Sequence, residues 1–108
     1  MAAYKEKLFP YLFRKAADMP EHAIERTVTI GSTSGLHARP AAIFVQNAKG
    51  FQCQVTLSKN EKTANAKSIL SVLALGVEQG DQVVLKTDGD DAASAIDKLA
   101  SLLEGNLG

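Results

Sequence analysis

The sequence has one cysteine, Cys53, and no tryptophan. A single thiol closes no disulfide within the chain, so the fold has to rest on its core, as suits a reducing compartment. An excess of either charge is also missing: 12 Lys and Arg offset 12 Asp and Glu. A general nucleic-acid binder carries a basic surplus, so direct binding to nucleic acid is not the expectation. No apolar run is long enough to cross a bilayer. The N-terminus lacks the uninterrupted apolar core and small-residue cleavage site of a secretory signal. The expectation is a cytoplasmic protein without membrane insertion. Only two histidines are present, His22 and His37. They lie in different parts of the chain with one stray cysteine, so no metal-ligand set is expected.

At 108 residues the chain has room for one core and a short appendage. Residues 1–24 read as that appendage, a weakly ordered extension or a short helix from about Pro10 to Ala17 stopped by Pro20. The domain, 25–108, starts near Glu25. Val28 and Ile30 alternate with Thr27 and Thr29, the period of a half-buried strand. In the next segment Ala41, Phe44, Val45 and Ala48 fall at helical spacing, and Gly50 is placed to end the helix. Phe51, Cys53, Val55 and Leu57 alternate again. Lys62–Ala66 is a shorter third strand. Ser68 can cap a helix carrying Ile69, Val72 and Leu73 on one face, closed by Gly76. Asp81–Thr87 is a fourth strand. The last helix lines up Ala92, Ala95, Ile96, Leu99, Leu102 and Leu103. Strands with one wet face and helices on the other make an α+β fold with a mostly antiparallel sheet.

The chemistry concentrates in Ser34–Ala41, SGLHARPA. Pro40 suits the first turn of a helix, where its missing N–H costs nothing. A helix N-terminus offers unpaired amides and partial positive charge, here at Ala38 and Arg39. Arg39 adds a guanidinium able to grip a phosphate through two hydrogen bonds. His37 stands at the edge of this anion site. The surrounding positive charge favours the neutral, nucleophilic ring, and the same groups would stabilise a phosphoryl group once attached. A histidine that merely caps the helix fits the same spacing.

GLHARPA resembles the active-site signature of the HPr family, the histidine-containing phosphocarriers of the bacterial phosphoenolpyruvate-dependent sugar phosphotransferase system. NAKSILSVLALGVEQGDQVVLKTDG resembles the family's second signature, at a matching separation. The resemblance covers Arg26 to Leu107. It implies an open-faced β-sandwich, four antiparallel strands covered on one face by three helices. It implies that His37 accepts a phosphoryl group from enzyme I on Nδ1 and passes it to sugar-specific IIA proteins or domains. Arg39 then contacts the phosphohistidine, with Ser34 and Ala38 lining the phosphate pocket. No cofactor is implied, and a monomer is expected. Phe44, Ile69, Leu70 and Leu73 would dock partners. Ser68 matches a serine phosphorylated by an HPr kinase/phosphorylase in Gram-positive bacteria, with Lys67 and Ile69 flanking it. That modification implies a catabolite-control transcription regulator as a further partner. The regulatory paralogue of the family lacks the histidine, whereas His37 is present. A signalling module acting through Ser68, and a small ligand- or nucleic-acid-binding domain, are the alternatives.

Overall fold

The computed structural model describes residues 23–107. The helix expected around Pro10–Ala17 lies outside the described residues. The elements run β1 (Ala23–Thr29), α1 (Ala38–Lys49), β2 (Gln54–Lys59), β3 (Lys62–Asn65), α2 (Ile69–Ala74), β4 (Gln82–Asp88) and α3 (Ala92–Glu104). The strands form one sheet in the order β1-β4-β2-β3. All neighbours are antiparallel, with Val28 opposite Val83, Leu57 opposite Leu85 and Leu57 opposite Ala64. This is the α+β open-faced sandwich that the sequence led us to expect.

Strand alternation puts Val28, Val55, Leu57, Ala64, Val83 and Leu85 on the covered face. The helical stripes meet them: Ala41, Phe44, Val45 and Ala48 from α1, Val72 from α2, and Ala95, Ile96, Leu99 and Leu103 from α3 are all buried. Leu102 is only half-buried. Thr87, inward on β4, satisfies its hydroxyl by donating to the Ala92 carbonyl at 2.9 Å, so its burial carries little penalty.

Two boundaries differ from the expectation, each for a local reason. β1 begins at Ala23, ahead of Glu25, because Ala23 and Ile24 continue the ladder opposite Asp88 and Thr87. β2 begins at Gln54 rather than Phe51. The amides of Gln52 and Cys53 donate to the Asp91 carboxylate at 2.8 and 2.9 Å instead of to a neighbouring strand. Cys53 is nonetheless buried, 2% exposed, so the alternation there reports burial without pairing. In α2, Val72 is the buried residue, while Ile69 is 37% and Leu70 76% exposed.

Candidate functional site

α1 starts at Ala38 with His37 as its N-cap residue, and the His37 side chain caps no amide. The reading in which the ring serves only as a cap is therefore set aside. Pro40 is buried in the first turn. Ala38 and Arg39 thus contribute the first two N–H groups of the helix, the ones without an intrahelical partner. Ala38 has a φ of +43°, a left-handed conformation that costs a residue with a Cβ about 1–2 kcal/mol. Backbone strain of this kind gathers at sites that handle ligands. Arg39 is exposed and, among the described residues, makes no ion pair. Its five donors face solvent, available to an incoming anion.

The loop ahead of His37 is shaped by backbone contacts. The Gly35 amide donates to the Ser32 carbonyl at 2.9 Å, and the Leu36 amide to Val77 at 3.0 Å. Gly35 has a φ of +61°, and a Cβ there would overlap the Val77 carbonyl oxygen and lie 2.8 Å from Glu78 Cα. Only glycine allows this approach. Ser34 is exposed at the tip of the turn.

The approach delivers a residue that sequence reasoning missed. Glu78, in the loop between α2 and β4, brings Oε2 to 3.0 Å from His37 Nε2. Along the sequence only positive charge surrounds His37; the structure adds a carboxylate on the ring's far nitrogen. No linear signal could have found it, because the partners are 41 residues apart. Both side chains stay open to solvent, at 44% for His37 and 65% for Glu78.

α2 packs beside α1 and carries the second motif. Ser68 is its N-cap residue, and its hydroxyl accepts the Ser71 amide at a long 3.4 Å. Lys67 turns its ammonium onto the Phe51 carbonyl at 2.7 Å. Ile69 and Leu70 form the exposed apolar surface here, and Leu73 is half-buried. Phe44 is a correction: it is 0% exposed and among the largest fully buried side chains. It faces the sheet from α1, so it serves the core and cannot touch a docking partner. Among the described residues, no group of three or more His, Cys, Asp or Glu gathers to hold a metal ion. None of the described helices is long and apolar enough to cross a membrane.

A family model described as the PTS HPr component phosphorylation site matches residues 24–105. The chain belongs to the HPr family. HPr proteins are phosphocarriers of the phosphotransferase system, and the two signatures of this member lie side by side on α1 and α2. Its sequence is 43% identical over 84 residues to the phosphocarrier protein HPr of Streptomyces coelicolor, across 77% of this chain and 90% of that one. It is 41% identical over 81 residues to the HPr-like protein Crh of Bacillus subtilis, across 75% and 95%. The HPr fold is matched by a crystal structure of HPr from Thermoanaerobacter tengcongensis, with TM-score 0.73 and 48% identity over 75% of this chain and 91% of that one.

Proposed function

We propose that this HPr-family chain carries phosphoryl groups on His37 in the cytoplasm, taking them from phospho-enzyme I and giving them to IIA proteins or domains. The observation that supports this reading is a half-exposed ring at a helix N-terminus that caps no amide, next to an arginine that makes no ion pair among the described residues. A ring nitrogen with a free lone pair attacks phosphorus. The N–P bond forms as the bond from phosphorus to the donor breaks. The Arg39 guanidinium and the amides of Ala38 and Arg39 meet the phosphate oxygens, with Ser34 on the rim of the pocket. The same groups stay in place for the reverse step, so the chain both accepts and donates. It acts as a monomer and a substrate of its partners, with no turnover and no cofactor of its own.

The test is direct. The full chain is incubated with phosphoenolpyruvate, magnesium and enzyme I. An acid-labile phosphoryl adduct is expected, and none in His37→Ala. An adduct that survives in that variant overturns the site.

Ser68 supports a regulatory role on top of this one. Among the described residues its hydroxyl is held only by one long hydrogen bond, and it stands beside exposed Ile69 and Leu70. Phosphate there adds about −2 charge, which repels an acidic enzyme I and offers a handle to a catabolite-control transcription regulator. An HPr kinase/phosphorylase is the matching enzyme. Ser68→Asp is expected to slow phosphorylation of His37 by enzyme I by roughly tenfold. An unchanged rate removes Ser68 from the account.

A further inference from the structure

We propose that Glu78 is a positioning residue for the phosphoryl carrier: it holds the proton of neutral His37 on Nε2 and so presents Nδ1 as the nucleophile. The inference rests on His37 being the carrier residue and adds what selects the reacting nitrogen in this chain.

The two atoms in contact decide the tautomer. Glu78 Oε2 is 3.0 Å from His37 Nε2. An ionised carboxylate only accepts hydrogen bonds, so the shared hydrogen belongs to the ring. A neutral imidazole carries one N–H, and if Nε2 holds it the lone pair is on Nδ1.

Glu78 reaches the ring on a fixed backbone. Its own amide donates to Asp81 Oδ2 at 2.8 Å. The Asp81 carboxylate lies 2.8 Å from Lys59 Nζ, which also donates to the Gly76 carbonyl at 2.7 Å. On the other side, Leu36 bonds to the Val77 carbonyl, Gly80 donates to Ile30 at 2.8 Å, and Ile30 donates to Asp81 at 2.9 Å. The missing Cβ at Gly35 lets the histidine loop close against Val77 and Glu78. The loop bearing the carboxylate and the loop bearing the imidazole are thus one clamped unit, and only the last few rotatable bonds of each side chain are free.

Phosphoryl transfer gives the contact a second consequence. Attack by Nδ1 forms the N–P bond and breaks the donor's bond to phosphorus. The ring, still holding its Nε2 hydrogen, becomes formally positive. Glu78 faces that positive charge, while Arg39 and the helix amides face the negative oxygens on the other side. When the phosphoryl group leaves, the electron pair of the N–P bond returns to Nδ1 and the ring is neutral again, its Nε2 hydrogen unmoved. An interaction that strengthens as positive charge develops on the ring speeds phosphorylation of His37 and favours the phosphorylated ring; it does not speed the return transfer. Both side chains are largely exposed, so the effect is bounded by what open ion pairs supply, about two- to fivefold in rate.

The experiment compares full-length wild type, Glu78→Ala and Glu78→Gln. The 15N shifts of the His37 ring are read at a pH where the ring is neutral. In wild type, Nε2 is expected as the N–H nitrogen and Nδ1 as the unprotonated one. In Glu78→Ala the two signals move toward each other as the second tautomer gains population, and phosphorylation by enzyme I slows about two- to fivefold. Glu78→Gln retains a carbonyl acceptor, so it restores the wild-type shifts but, lacking the charge, not the full rate. Ring shifts in Glu78→Ala that match wild type overturn the proposal, even if His37 carries phosphate normally. If wild-type His37 takes no phosphate, the carrier reading fails, and the shifts still decide whether Glu78 sets the tautomer.

Discussion

Gly35 carries more of the site than its size suggests. It sits at φ +61° with its α-carbon against the Val77 carbonyl and the Glu78 backbone. Adding one methyl group forces a left-handed φ on a residue with a Cβ, about 1–2 kcal/mol. It also pushes apart two backbone segments that hold each other by hydrogen bonds. Gly35→Ala is therefore expected to lose roughly 2–4 kcal/mol of stability in urea unfolding. The same change should loosen the His37–Glu78 contact, since it is Gly35 that lets those loops meet. A loss below about 0.5 kcal/mol, the range of inert surface changes, would sink this account. The single residues His37, Arg39 and Pro40 were legible in the sequence because their chemistry is intrinsic: a nucleophilic ring, a fixed cation, a preset φ. Glu78 was not legible. A glutamate in a loop between two glycines is ordinary until the fold brings it across to the histidine.

At the scale of elements, period was a dependable guide wherever one face of a strand or helix is buried. It placed β1, α1, β3, β4 and α3 close to their observed positions. It failed where a side chain captured backbone amides. Asp91 heads α3 as its N-cap residue, yet its carboxylate makes no capping bond and clamps the Gln52 and Cys53 amides instead. That clamp joins the end of α1 to the start of α3 and bends the chain before β2. The hydrogen bond from the Gln52 amide, then the bond with Cys53, hold the Asp91 carboxyl below its usual range. A folded-state value below the unfolded one means that the clamp's stabilisation is fully present above the ordinary carboxylate pKa of about 4. It is lost as pH falls through the lower folded value. Asp81, lowered chiefly by its bond to Lys59, loses its contribution in the same acid window. The stability gap between wild type and Asp91→Ala is thus expected to narrow from pH 7 to pH 2–3. A gap that stays constant across that range would show that the clamp does not depend on the charge. Burial, and then the neighbouring Asp91, push the Cys53 thiol up to about 11, which leaves it in the poorly nucleophilic protonated form at neutral pH.

Across the whole molecule, apolar residues near the site divide into two populations that the sequence could not separate. Phe44 and Leu70 both lie on helices that frame His37, and both fit an apolar docking face by residue type. The sheet decides between them. α1 lies over the strands and turns Phe44 into the centre of the core, at 0% exposure, whereas α2 is short and buries only Val72. Leu70 is left 76% exposed and Ile69 37% exposed. A large exposed leucine gains nothing for folding; under the proposed function it lies on the surface that a partner covers. Truncating the two residues should therefore damage different properties. Phe44→Ala leaves a cavity in a close-packed interior and is expected to cost about 3–5 kcal/mol of stability. Leu70→Ala removes surface already in water and is expected to change stability by no more than about 0.5 kcal/mol. It should instead raise the KM for this chain as substrate of enzyme I by about fivefold, the scale of one interface side chain worth about 1 kcal/mol. Urea unfolding and initial-rate phosphorylation assays separate the two effects. If Leu70→Ala destabilises the fold while its KM stays at the wild-type value, the exposed face of α2 is a structural surface and the partner docks elsewhere.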